Sequence, residues 1–295
     1  MATMTQSVPL GVPATKITAK KTQNVFRNNA IFVLMLIFTA VWLIPIIGAL
    51  VTALRTQGDI TANGYWSIPK TLTLSNFGEA WELGQVAIYL KNSFIITLPS
   101  LAGMLLLSSM AAFALARYRF RGNMLIYFMF VAGTMLPFQV LLLPVFYLTK
   151  ALHLYNQYSA LIMIHTAFQL GFCTFVLRNF MRTIPGEILE AARMDGAGEF
   201  RLYWQIMMPL SLSSLAALAT LEFTWVFNDY LWAIILISDG SKKPVTAGLA
   251  ALQGQYNTDW PVLTAGALLA AVPTIFVFVF LQRYFIQGLT LGSNK

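Results

Sequence analysis

Residues Ile31–Leu50 read IFVLMLIFTAVWLIPIIGAL, twenty consecutive positions without a charge. As α-helix such a run covers about 30 Å, the thickness of a bilayer's hydrocarbon core. A secretory leader has a shorter apolar core and a small-residue cleavage site close to the start. Here about thirty residues come first, among them Lys16, Lys20, Lys21 and Arg27, so the run reads as a retained span. Working outward, five further apolar runs follow at about 93–116, 124–148, 158–177, 211–237 and 262–282, beside the first at 30–54. None alternates with the period of two that a membrane barrel requires. The expected fold class is therefore all-α and polytopic, with six transmembrane helices.

Composition agrees. Of 295 residues, 58% are hydrophobic and 10% charged, and the mean hydropathy is +0.68. A soluble domain carries about 25% charged residues. This chain lacks the polar side chains to coat a water-facing surface, and lipid removes the need for one. The formal charge of +8 is not a nucleic-acid footprint, because the basic residues sit at the ends of apolar runs. The lone Cys173 excludes an internal disulfide framework and a cysteine-rich metal cluster. No G-x-x-x-x-G-K-[ST] loop, H-E-x-x-H pair or Rossmann fingerprint occurs, so no phosphate cradle or catalytic metal site is expected. The chain reads as a non-enzyme with no cofactor of its own.

Orientation follows from lysine and arginine. With the N-terminus inside, the inner segments hold Lys16, Lys20, Lys21, Arg27, Arg117, Arg119, Arg121, Arg178, Arg182, Arg193, Arg201, Arg283 and Lys295, thirteen in all. The outer segments hold Arg55, Lys70, Lys91, Lys150, Lys242 and Lys243, which is six. The positive-inside rule puts both termini in the cytoplasm. The expected organisation is a tail over 1–29, a first span over 30–54, an outer loop over 55–92, a core of five spans over 93–282 with an inner loop at 178–210, and a tail over 283–295.

That inner loop contains EAARMDGAGEF, Glu190–Phe200, a polar insert between two apolar runs. Thr183 is a candidate N-cap, Pro185 suits a first helical turn, and Glu187 meets the positive end of the helix dipole. Ile188, Ala191 and Ala192 fall at i, i+3 and i+4 and define a narrow apolar face. Asp195-Gly196 ends the helix at a left-handed turn, and a second short helix through FRLYWQIMM runs toward Pro209. Two readings stand side by side. One is a bent helix pair that docks in a partner's groove; the other is an interfacial helix with Phe200, Leu202, Tyr203 and Trp204 among the headgroups.

Glu190-Ala191-Ala192, then Gly196, Ile206 and Met208-Pro209, resembles the EAA loop of ABC importer permeases, pattern EAA-x3-G-x9-I-x-L-P, with methionine for the usual leucine. Further likenesses lie at Lys91–Ser93 (KNS), Ala111–Gly122 (AAFALARYRFRG), Ile184–Ala197 (IPGEILEAARMDGA), Phe227–Trp232 (FNDYLW) and Gln282–Gly292 (QRYFIQGLTLG). Together they are similar to the smaller, six-span permease of maltose-type carbohydrate importers. The resemblance implies the type I importer permease fold and a subunit of an ATP-driven, binding-protein-dependent sugar or oligosaccharide importer in the bacterial inner membrane. It implies a paralogous permease, a dimer of ATPase subunits carrying ATP and magnesium, a solute-binding protein and surrounding lipid as partners, with no nucleic acid. The coupling contact to the ATPase would then comprise Glu190, Ala191, Ala192, Asp195, Gly196, Ala197, Ile206 and Pro209. Glu190 would be its charged anchor and Gly196 its bend.

Polar residues inside the spans are candidates for the translocation path. Glu222, Trp225 or Val226, and Asp229 share a helical face, with Asn228 alongside. A carboxylate exposed to hydrocarbon costs at least ~2.5 kcal/mol, so both acids should face protein or water. Trp225, Phe227, Tyr230 and Trp232 add rings suited to the C–H faces of a sugar. Glue between helices is the competing role. His165, Gln169 and Cys173 recur every four residues on a second stripe; packing is the simple role for His165, pore contact the alternative, and Cys173 reads as a small buried hydrophobe. Pro137 and Pro273 are expected to interrupt their helices. Two other functions remain: the same machinery carrying a polyol or glycerol phosphate, and an ion-coupled secondary transporter with Glu222 and Asp229 as proton sites.

Overall fold

The computed structural model describes the backbone of residues 15–253 and 258–290 and the side chains of residues 28–253 and 258–283. Among them every regular element is a helix. Lys16, Lys20, Lys21, Arg27, Lys295 and most of the QRYFIQGLTLG stretch lie outside the described side chains. The chain divides between Val51 and Thr52 into two units, each taken alone. The first consists of most of α1 (Thr15–Ala53), whose portion Asn28–Ala53 is long and apolar enough to cross a membrane.

The second unit runs through α2 (Gln57–Asn63), α3 (Ser75–Glu82), α4 (Val86–Arg117), α5 (Asn123–Met135), α6 (Leu142–Ala151), α7 (Tyr158–Thr183), α8 (Gly186–Met194), α9 (Glu199–Arg201), α10 (Met208–Leu210), α11 (Leu212–Phe227), α12 (Leu231–Leu236), α13 (Val245–Ala250) and α14 (Trp260–Thr290). With α1, the helices α4, α7 and α14 are each long enough to span. The described residues thus hold four spanning helices, or six if two bent pairs each count as one.

Those bent pairs agree with six spans and place one break at Pro137, where an interruption is expected. The run at 124–148 is broken between α5 and a 3₁₀ turn at Phe138–Leu141, with a bend of 90°. Pro137 sits in the break, where it lacks the amide that would continue the ladder. Pro273, by contrast, lies inside an uninterrupted α14. The segment at 211–237 ends as helix at Phe227, and Asn228–Tyr230 separate α11 from the short α12. Asp229 is therefore not on the helical face of Glu222. Helix also replaces loop or tail at several edges: α4 begins at Val86, α7 continues to Thr183, and α14 runs to Thr290.

The core lies along the pairing of α4 with α7. Small and hydroxylated residues are buried along both helices, among them Ser93, Thr97, Ser100, Ser108, Ser109 and Thr174, and Gly103 of α4 lies against Thr166 of α7. Such side chains let helix backbones approach closely and return their hydroxyls to the helix itself, as Ser100 does to the Ile96 carbonyl at 2.7 Å. On the other flank of α7, Gly171 faces α5: a methyl there would stand 2.5 Å from the Phe130 carbonyl oxygen. The α11 helix packs on α14 and α4, and the KNS stretch ties α4 to the loop before α13. Asn92 donates to the Ser241 and Lys243 carbonyls and accepts from the Tyr158 hydroxyl, while Ser93 Oγ accepts from the Val245 amide.

The polar segment after α1 is organised by one residue. Arg55 is fully buried, donates to Asp59 at 2.7 Å and to Ser67 Oγ at 2.7 Å, and reaches the Gly64 and Tyr65 carbonyls. Asn76 secures the same turn through the Ala53 and Arg55 carbonyls.

Because Gly171 meets backbone rather than a yielding side chain, Gly171→Ala should force α5 from α7 and destabilise the protein by about 1–3 kcal/mol. Thermal unfolding in detergent reads this directly. Gly78→Ala, which enters open space on α3, should not lower the midpoint; equal losses in both variants would contradict a close α5–α7 contact.

Candidate functional site

Two regions gather the candidate residues. The first is a cavity of about 980 Å³ lined from α5, α7, α11, the break before α12, and Phe278 of α14. His165, Gln169, Glu222, Trp225, Asn228 and Asp229 all border it. The fold brings the six together by two different routes. His165 and Gln169 arrive one turn apart on α7. Trp225 and Asn228 come from the end of α11, and Asp229 arrives only because the helix has stopped.

Their environments differ. Trp225 is 57% exposed, and Asn228 is exposed while donating to the Thr224 carbonyl at 2.9 Å. Asp229 accepts from the Trp232 and Ala233 amides at 3.4 and 3.2 Å, capping the first turn of α12. Its Oδ2 also lies 3.6 Å from His165 Nε2, and Thr246 donates to its carbonyl. Asp229 thus has a structural task as well as a place on the cavity wall. Glu222 is 1% exposed at the contact of α11 with α7, against Cys173, and its Oε2 has no hydrogen-bond partner among the described residues. It borders the cavity from within this chain's own helix contact. Cys173 is buried in the core cluster. Among the described residues no three His, Cys, Asp or Glu side chains converge as a metal site.

Sequence reading missed much of the wall. Thr220 and Thr224 line the cavity while bonding back to their own helix, and Thr134, Phe138, Phe168 and Phe172 complete it. The threonines stand one turn apart on a different stripe of α11 from Glu222 and Trp225, and were legible as polar positions inside an apolar run. The side chain at Phe138 reaches the cavity only through the 90° bend.

The second region is the polar insert. Here α8 begins after Pro185 without a side-chain cap, and Thr183 is the last residue of α7, donating to the Phe180 carbonyl. Leu189 is 2% exposed and Ala192 is half-buried against the core, so the inward face is Leu189–Ala192. Ile188, Glu190, Ala191, Met194 and Asp195 face outward. This corrects the apolar face expected from Ile188, Ala191 and Ala192: one step of 100° separates Ala191 from Ala192. Gly196 has φ +81°, the left-handed turn expected of it, with open space around it. Ala197 and Ile206 are half-buried on the core and Pro209 is exposed.

Beyond the bend, Leu202–Met207 forms a π-helical turn between α9 and α10. Pro209 has no amide to donate and its ring crowds the carbonyl four residues earlier; widening the turn relieves both. Leu202 and Tyr203 are buried, Phe200 and Trp204 exposed, so the four do not form one headgroup-facing stripe.

The insert is fastened to α4 at three points. Arg117 donates to the Met181 and Ile184 carbonyls at the end of α7. Tyr118 donates to Glu199, which also receives Arg193 at 3.4 Å. Ser109 and the Tyr203 hydroxyl meet at 2.7 Å. The Tyr118 hydroxyl, and then Arg193, hold the Glu199 carboxyl below its ordinary range. Burial first and Glu199 second push the Tyr118 phenol up to about 12.

Residues 104–291 match the family model described as binding-protein-dependent transport system inner membrane component. The chain is 35% identical over 254 residues to the arabinooligosaccharides transport system permease of Halalkalibacterium halodurans, covering 85% of this chain and 90% of that one. It is 30% identical over 264 residues to the diacetylchitobiose uptake system permease of Streptomyces coelicolor, covering 89% and 87%. In fold it is similar to a chain of a bacterial ABC transporter involved in the import of the acidic polysaccharide alginate, with TM-score 0.76 and 21% identity over 94% of this chain and 100% of that one.

Tyr118→Phe removes one of the three fastenings without changing the ring. Amide exchange over residues 197–201 should accelerate about fivefold at neutral pH. Since the folded pKa of Glu199 is depressed, its contribution is full above the unfolded value and is lost as pH falls through the lower folded one. Unchanged exchange in Tyr118→Phe would show that the contact does not hold the loop.

Proposed function

The chain belongs to the family of binding-protein-dependent transport system inner membrane components, and from that premise we propose that it is one permease subunit of an ATP-driven importer of a sugar or oligosaccharide. The observation that carries this reading is the cavity beside α11. It presents exposed aromatic faces, Trp225 and Tyr230, next to hydrogen-bonding groups at Asn228, Gln169 and Thr224. A sugar offers apolar C–H faces and a rim of hydroxyls, the chemistry that wall complements. Curated relatives named for arabinooligosaccharides and diacetylchitobiose support the same class.

In this reading the subunit pairs with a paralogous permease to complete the path, receives solute from a binding protein, and contains no catalytic site. ATP and magnesium act on separate ATPase subunits. Both termini are cytoplasmic, as the thirteen-to-six distribution of basic residues favours. Glu190, Ala191 and Asp195, on the outward face of α8, meet the ATPase, and Gly196 provides the bend. Ala192, Ala197 and Ile206 seat the loop from behind. Glu222 and His165 act from the cavity wall by holding α7 and α11 in register, while Trp225, Asn228 and Gln169 meet solute.

The test is uptake by the reconstituted complex with its binding protein, across a panel of labelled mono- and oligosaccharides. Trp225→Ala should reduce uptake about tenfold with complex yield unchanged, a loss in the range of an aromatic contact with its buried area. Gly196→Leu, which must strain a positive φ, should reduce uptake and stimulated ATP hydrolysis together. Uptake that persists without the ATPase subunits and follows an ion gradient would replace this reading with a secondary transporter.

A further inference from the structure

A second concavity lies at the opposite flank of α7. It has a volume of about 770 Å³ and is lined by the turn from α4 to α5 and by the end of α7. Four arginines border it, Arg119, Arg121, Arg178 and Arg182, and no carboxylate does. Arg119, Arg121 and Arg182 are exposed and make no hydrogen bond or ion pair among the described residues. Arg178 is different: it is 5% exposed, stacks on the Tyr127 ring at 3.8 Å, and donates from Nε to the Leu115 carbonyl at 3.3 Å. A buried guanidinium with only a ring, a carbonyl and the Met124 sulfur around it has no compensating anion. Glu199, which the Tyr118 hydroxyl of this rim meets, is already engaged by Arg193.

The apolar side of the same place is equally specific. From the groove, α5 leads away with Met124 at 52%, Leu125 at 65%, Phe128 at 57% and Met129 at 65% exposure. A cationic recess thus opens directly onto an uncovered apolar helix, inside a protein of the inner membrane. A ligand that satisfies both halves carries a phosphate on one end and hydrocarbon on the other. Guanidinium groups present planar pairs of donors that match phosphate oxygens.

We propose that this groove binds the phosphate headgroup of an anionic phospholipid, with the acyl chains lying along α5. The headgroup supplies the counter-charge that Arg178 lacks, and lipid at this site braces the turn from α4 to α5 against α7. Nothing in this assignment depends on the solute carried through the cavity.

The experiment uses the full-length chain in mixed micelles, titrated with phosphatidylglycerol or phosphatidylcholine and read by native mass spectrometry. Wild type should retain phosphatidylglycerol in preference to phosphatidylcholine. R119Q/R121Q, both exposed and unpaired, should weaken phosphatidylglycerol retention about twenty-five-fold, near fivefold per charge removed. Lys91→Gln, a basic residue on α4 outside the groove, should change it less than twofold. Equal retention of the two lipids, full preference in the double variant, or the same loss in Lys91→Gln would each overturn the proposal. Displacement of bound phosphatidylglycerol by millimolar inorganic phosphate would assign the groove to free phosphate and overturn the lipid assignment. Loss of ATPase association in R119Q/R121Q with lipid retention intact would instead make the groove a protein contact, and would also overturn it.

Discussion

The close approach of α4 to α7 is the constraint on which the rest of the structure depends. Small side chains let the two long helices lie against each other: Gly103 of α4 meets Thr166 of α7, and Ser100 returns its hydroxyl to its own helix. In hydrocarbon there is no water to drive such contact, and close van der Waals packing replaces it. Once α4 and α7 are fixed, α5 can lean on α7 only where Gly171 leaves room, and α11 fills the remaining flank.

The two candidate regions hang from that pair in different ways. Arg117, Tyr118 and Ser109, all on or just after the last turns of α4, hold the ends of α7 and the polar insert. Beyond the insert, the π turn and the 72° bend at Ser211 redirect the chain into α11, whose far end forms the cavity wall. The same stretch of backbone therefore runs from the surface-facing α8 to the residues beside the cavity. A rigid seat at one end and an irregular turn in the middle give that connection a defined place to bend.

The fold class was legible because its cause is compositional: long uncharged runs, arginines at their ends, and a polar insert with a glycine at a left-handed turn. Gly196 could be read since only its residue type tolerates φ +81° cheaply. The six cavity residues were also legible, as polar and aromatic positions inside apolar runs. What failed was geometry set by interruptions. Asp229 was placed on the face of Glu222 by counting through Phe227, where the helix ends. The inward face of α8 was misplaced by one residue, because Ile188 and Leu189 are equally apolar and only the surface below chooses between them. The links Tyr118–Glu199 and Ser109–Tyr203 join residues 81 and 94 positions apart, and no periodicity reports such pairs.

Docking of α8 on an ATPase subunit is the central claim, and a single crosslink tests it most directly. Met194 is 88% exposed at the end of α8 and does not touch the core. In a Cys173→Ala background, Met194→Cys carrying a short photo-activated crosslinker should form an adduct with the ATPase subunit in native membranes, and its yield should change when a non-hydrolysable ATP analogue binds. An adduct-free chain whose Met194→Cys thiol is instead fully labelled by a lipid-phase reagent would contradict it.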